Sequence, residues 1–287
     1  MKTIKYLVLL LVVSSCERFS KEDKKQEATT RIVCIAKQYN EIICALGAQK
    51  DLVAVDVSST YPAELKELPA VGYHRALSLE AILANKPTII IEDDNIGPET
   101  VVDQLKKLKV PMKQFGKYEQ TIAGADSLIH EMGRYFKREK AADSLCVKLK
   151  KEFDAAIEKT NSFTKKPRVL VIHYGQASNV YLVMTKNSTG GKMLEWAGGE
   201  IAIDEEKGMK HLSPELVAAA NPDVILITDF GYDKLAGSYE KIGELPGVSS
   251  TKAYKDKKIY RIEEHDLVYL GPRTGQNIQL IQKLIHQ

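Results

Sequence analysis

Three residues in a row, Tyr73, His74 and Arg75, open the segment "YHRALSLEAILANKPTIII". A phenol beside a guanidinium loses its proton more readily, because a neighbouring positive charge favours the anion. A tyrosinate is a hard anionic ligand for ferric iron, and tyrosine is one of the axial ligands that haem iron accepts. His74 offers the commonest metal-binding side chain as an alternative. Arg75 can steady the phenolate or pair with a carboxylate of a ligand. The same three residues also suit a surface turn whose tyrosine packs on the following helix, and the residues alone leave both readings open.

The helix that follows has a second copy. "LSLEAILANKPTII" (Leu77 to Ile90) and "LSPELVAAANPDVI" (Leu212 to Ile225) align without a gap. In each a serine is placed to cap the helix and a glutamate, Glu80 or Glu215, sits in the first turn. Both glutamates fit a capping and dipole role. They also fit a pair of docking charges, one per lobe, for a two-fold symmetric partner. Ahead of the second copy, Met209, Lys210 and His211 stand where the first has His74, Arg75 and Ala76. Met209 and His211 are therefore expected to face the same cleft from the opposite side, as ligand donors or as loop packing. Late in the chain, "GPRT" places Arg273 at the start of a final amphipathic helix. A cation there opposes the helix dipole, so it needs an anion nearby, either on a ligand or on a local carboxylate.

The elements that must position these residues alternate. "RIVCIA", "LVAVD" and "TIIIED" read as buried strands, with "QYNEIICALGA" and "PETVVDQLKKLKV" as helices between or after them. Continuous apolar strands separated by helices indicate a parallel sheet covered on both faces. An apolar period through Ile129, Met132, Phe136, Leu145, Leu149, Phe153 and Ile157 predicts a long helix. Strands and helices then resume with "RVLVIHYG", "YLVM" and "DVILITD". The expected fold is α/β, with two lobes of mainly parallel sheet joined by one long rigid helix and a ligand cleft between them. The expected boundaries are 31–128 for the first lobe, 129–160 for the linking helix region and 161–287 for the second lobe.

The first residues read differently. "MKTIKYLVLLLVVSSC" has a basic start, a short apolar run and small residues, which predicts an export signal over 1–15. The ending "VSSC" resembles a lipobox, so Cys16 is expected to carry lipid and anchor the protein to a membrane. Residues 16–30 then form a polar tether too poor in apolar residues to pack. The expected location is the periplasm. Among the other cysteines, Cys34 and Cys44 suit buried thiols or a disulfide, with buried thiols favoured. A net charge of +3 with 28% charged residues gives no concentrated basic patch, so no nucleic-acid partner is expected. The chain carries no P-loop, GxSxG or HExxH pattern, and no enzyme is expected. His130, His173, His265 and His286 read as scattered structural residues.

The pattern "GYHRALSLE" with the late "GPRT" resembles the periplasmic haem-binding proteins of bacterial haem ABC importers, over nearly all of the chain after Arg31. The resemblance implies a monomeric protein that binds haem and hands it to a permease without performing a reaction. It implies Tyr73 as the iron's axial ligand, Arg75 as its support and Arg273 as a residue at the haem site. It implies Glu80 and Glu215 as the docking charges, and only slight movement of the lobes. This chain departs from the pattern in having His74 between tyrosine and arginine, and in having no histidine near "VMTKNSTGG", where Lys186 stands instead. The alternatives are the same transport role for a corrinoid or a ferric siderophore, or a chelatase-type enzyme of tetrapyrrole metabolism.

Overall fold

A computed structural model describes residues 30–176, 178–206 and 208–287. The expected export signal, Cys16 and most of the tether lie outside the described residues. Among the described residues no helix is long and apolar enough to cross a membrane.

The first lobe runs β1 (Ile32–Cys34), α1 (Lys37–Ala45), β2 (Leu52–Val55), β3 (Gly72–Tyr73), β4 (Ala76–Leu77), α2 (Leu79–Ala84), β5 (Ile89–Ile91), α3 (Glu99–Lys107), β6 (Met112–Lys113) and α4 (Ile122–Tyr135). Its main sheet has the order β2-β1-β5-β6 and is parallel throughout. Side chains alternate across it. Ile32 and Cys34 join the core that continues into the helices behind, whereas Val33 and Ile35 pack with Ile82, Ile90 and Leu105 on the other face. Burial on both faces explains why these strands read as unbroken apolar runs.

After the connecting helix α5 (Glu139–Thr160), the second lobe begins with β7 (Arg168–Gly175), β8 (Val180–Met184), α6 (Thr189–Trp196), β9 (Glu200–Ile201), β10 (Met209–His211) and α7 (Pro214–Ala220). It continues with β11 (Val224–Thr228), α8 (Asp229–Lys234), α9 (Tyr239–Gly243), α10 (Lys252–Lys255), β12 (Ile259–Ile262), α11 (Glu264–Val268) and α12 (Thr274–Ile285). This sheet, β10-β8-β7-β11-β12 with β9 beside β7, is mixed: β8 pairs antiparallel with both β7 and β10, and the other pairings are parallel.

The connector differs from the expectation of one helix through 129–160. The chain breaks at Phe136–Arg138, where Lys137 takes a left-handed φ of 55°. Lys137 N–H bonds to Arg134 C=O at 3.2 Å and Arg138 N–H to Gly133 C=O at 2.7 Å, which closes α4 with paired end-of-helix bonds. A Cβ on Gly133 would stand 2.5 Å from the Ala142 methyl, so glycine is what lets α4 and α5 meet this closely. The helix that joins the lobes is α5 alone, 22 residues and about 33 Å long. Its Cys146, Leu149 and Ala156 are buried in a core that continues from the first sheet into the second lobe. Cys34, Cys44 and Cys146 are free thiols in this structure, Cys34 and Cys146 buried and Cys44 half-buried.

Candidate functional site

Residues of both lobes line a single cleft of about 710 Å³. Tyr73, His74 and Arg75 enter it from the first lobe because a tight β3–β4 hairpin turns at this point, with Tyr73 paired to Ala76. Gly72 makes the hairpin possible. Its φ is +101°, and a Cβ there would lie 2.7 Å from the Ala76 carbonyl oxygen. The Ser78 hydroxyl then accepts a bond from Ala81 N–H at 3.1 Å and starts α2.

Within the cleft the Tyr73 and His74 rings lie 4.1 Å apart. Burial lowers the His74 pKa, which favours the neutral imidazole, and Asp56 stands 4.0 Å from its Nδ1. The expectation that Arg75 eases deprotonation of Tyr73 needs correction. Burial and then Glu264 push the phenol up to about 12, outweighing the downward pull of Arg75. The guanidinium is exposed and donates from Nε at 2.9 Å and from Nη2 at 2.6 Å to Asn95 Oδ1. Tyr73 is therefore a protonated phenol near neutral pH, and any metal bound through its oxygen would have to displace that proton.

Arg273 also needs correction, because it does not line the cleft. Its Nε donates to Glu41 Oε1 at 2.9 Å and its Nη2 to Asp266 Oδ1 at 2.8 Å, while the guanidinium sits 3.5 Å from the Tyr61 ring centre. The anion that makes a helix-start arginine comfortable is thus on the protein. Burial pushes the Glu41 carboxyl up, but His265 and Arg273 together hold it below its ordinary value. This cluster joins the lobes, since Glu41 lies on α1 and His265, Asp266 and Arg273 belong to the second lobe. Two neighbours on α1 do the same. Lys37 bonds Glu264 at 2.5 Å and Gln38 donates to the Leu270 carbonyl at 2.6 Å.

Of the residues expected from the second lobe, Met209 lines the cleft and His211 does not. Both lie on β10, which pairs Met209 with Met184 and His211 with Leu182. Glu80 and Glu215 are exposed, each in the first turn of a serine-capped helix. The Ser213 hydroxyl accepts from Leu216 N–H at 3.3 Å, repeating the Ser78 arrangement.

The cleft also holds His173, which reads in the sequence as a scattered structural residue. It stands near the carboxyl end of β7, where loops of such sheets meet ligands. Its Nδ1 lies 3.3 Å from Thr228 Oγ1 and 3.6 Å from Glu264 Oε1. Thr228 is the hydrogen-bonding partner of that nitrogen, and Glu264 is a nearby charge. Burial lowers its pKa and favours the neutral form. The signal was an imidazole ending the apolar run "RVLVI". The lining residues include two cationic side chains, Arg75 and Lys117, and Lys117 pairs with Asp94. Asp93 lies in the same wall, its carboxyl pushed up to about 6 by burial.

Two lobes, a connecting helix and a cleft between the sheets define a substrate-binding protein of the periplasmic type, and residues 32–265 match the periplasmic binding protein family, to which the chain belongs. Among solved structures, it is similar to the periplasmic heme-binding protein RhuT from Roseiflexus sp. RS-1 in apo form, with 31% identity and a TM-score of 0.79, covering 90% of this chain and 98% of that one. The periplasmic heme-binding protein HutB of Vibrio cholerae is 28% identical with a TM-score of 0.73, covering 91% of this chain and 100% of that one. Among curated proteins, the high-affinity heme uptake system protein IsdE of Staphylococcus aureus is 27% identical, covering 92% of this chain and 91% of that protein.

Proposed function

We propose that the protein captures haem in the cleft between its lobes and delivers it to an ABC permease. The observation that carries this reading is Tyr73, a phenol presented to the cleft by a hairpin that needs glycine at position 72, in a chain whose similar structures are named heme-binding proteins. Tyr73 is the axial ligand. His173 is the donor on the second lobe's side, with Met209 beside the macrocycle. His74 packs on the phenol and is the alternative first-lobe ligand. Leu128, Leu182, Val268 and Leu270 supply apolar wall for the porphyrin faces. Arg75 and Lys117 take the propionates in place of Arg273. The protein performs no reaction of its own. It is held at the membrane by lipid on Cys16 and acts as a monomer, with Glu80 and Glu215 meeting one permease subunit each. Titrating the exported chain with haemin, cobalamin and a ferric siderophore tests the cargo. The reading expects saturable one-to-one binding of haemin and at least about 100-fold weaker binding of the others, a difference of about 3 kcal/mol. Tighter binding of either competitor would overturn it.

A further inference from the structure

Away from the cleft, the seam between α4 and α5 gathers a different set of side chains. Asp126 and His130 lie one turn apart on α4, and Asp143 and Cys146 lie one turn apart on α5. The His130 Nδ1 atom stands 3.1 Å from Asp126 Oδ2 and 3.5 Å from Cys146 Sγ. One donor atom from each of the three residues lies within 4.8 Å of the others. On the far side of the ring, His130 Nε2 stands 3.2 Å from Asp143 Oδ1.

The two spacings from Nδ1 are close to those of a tetrahedral site. Zinc bonds of about 2.3 Å to sulfur and about 2.0–2.2 Å to nitrogen and oxygen separate neighbouring ligands by about 3.5 Å for sulfur and nitrogen, and by about 3.4 Å for nitrogen and oxygen. The ring's second nitrogen has what a metal-binding histidine requires. The tautomer that donates Nε2–H to Asp143 leaves the Nδ1 lone pair aimed at Asp126 and Cys146. Without a cation between them, that lone pair faces the Asp126 carboxylate oxygen and, at 3.0 Å, the Asp126 carbonyl oxygen, which are both acceptors. Access and anchoring are also suitable. Cys146 is buried and fixed by the packed seam, while Asp126 and His130 are half-exposed and leave a side open for an ion and a water.

We infer that Asp126, His130 and Cys146 form a zinc site, with Asp143 orienting the imidazole and water as the fourth ligand. Binding converts the Cys146 thiol to a zinc thiolate and releases its proton to solvent, so affinity rises with pH. The site bridges the last helix of the first lobe and the helix that joins the lobes, and it braces that hairpin without touching the cleft.

The test uses the reduced, chelator-treated exported chain. Zn²⁺ titration by calorimetry should give one site per chain, and saturating Zn²⁺ should raise Tm. Co²⁺ should bind at the same site and show thiolate-to-cobalt charge-transfer absorption. Cys146→Ser and His130→Gln should each weaken Zn²⁺ binding by at least about 100-fold. Tyr73→Phe should bind Zn²⁺ as the parent does, and Cys146→Ser should bind haemin as the parent does, so the two sites succeed or fail separately. His130 is half-exposed, so His130→Gln remains informative if Cys146→Ser folds poorly. Two results would overturn the inference: no saturable Zn²⁺ binding by the parent, or binding unchanged in His130→Gln.

Discussion

The two copies of the repeated helix-and-strand unit share a platform and differ in what they bring to the cleft. Ser78 and Ser213 cap their helices in the same way, and Glu80 and Glu215 occupy the same exposed first-turn position. Ahead of α2 the chain forms the β3–β4 hairpin, and Tyr73, His74 and Arg75 all reach the cleft. Ahead of α7 the equivalent residues form β10, an edge strand laid against β8, and Met209 alone of the expected pair reaches the cleft. The duplicated part is thus the cap and its carboxylate. The side chains that line the cleft differ between the lobes, and His173 comes to it from β7, outside the repeat. A repeat in sequence is therefore a guide to scaffold, and a poor guide to which side chains line the cleft.

The strongest test of the shared platform is to reverse both charges. Glu80→Arg with Glu215→Arg should abolish haem-dependent growth through this protein while haemin titration stays unchanged, because like charges set against a partner cost several kcal/mol. Each single reversal should give a similar, partial loss. Unchanged growth in the double variant would remove the docking role from both copies.

The lobes are also unequal in how they hold each other, since α1 of the first lobe reaches across with Lys37, Gln38 and Glu41. Glu41→Ala leaves His265 buried without its carboxylate and Arg273 with Asp266 alone. It should cost about 3–5 kcal/mol in urea unfolding. A loss below about 1 kcal/mol would show that α5 alone sets the lobe arrangement.

A smaller effect separates the two cleft walls by pH. Asp93 in the first-lobe wall has a folded pKa of about 6, above its unfolded value of 3.8. The folded state then holds more protons than the unfolded state between those values, so this group's contribution to stability falls as pH rises through that window. The penalty is fully present above about pH 6 and is at most about 3 kcal/mol. Asp93→Asn should remove this slope, measured as the difference in unfolding free energy between parent and variant at pH 4 and pH 7. A difference that does not change with pH would contradict it.

The smallest expected effects are the caps. Ser78→Ala and Ser213→Ala should each cost about 1 kcal/mol. Near-equal losses would support the equivalence of the two platforms, and a loss confined to one lobe would break it.

Much of this frame was legible before the structure. Apolar runs such as "TIIIED" announced strands buried on both faces, and the two Leu-Ser-x-Glu openings announced capped helices. The break between α4 and α5 was not legible, because the left-handed turn residue is Lys137 rather than the glycine that usually marks such a stop. The part played by Arg273 was hidden for another reason. Its partner Glu41 is 232 residues away, and spacing along the chain carries no information about that contact. His173 was readable in principle, as a polar residue closing a buried strand, but a lone histidine gives no sign of the Thr228 hydroxyl and Glu264 carboxylate that lie beside it.

The central claim is that the first-lobe hairpin supplies the iron ligand and that Tyr73 is that ligand. Ferric haem added to the parent, Tyr73→Phe, His74→Ala and His173→Ala, each recorded by absorption and resonance Raman spectroscopy, tests it directly. The account predicts a tyrosinate–iron signature in the parent that is lost in Tyr73→Phe, kept in His74→Ala and altered in His173→Ala. An unchanged spectrum in Tyr73→Phe, with the largest change in His74→Ala, would contradict it.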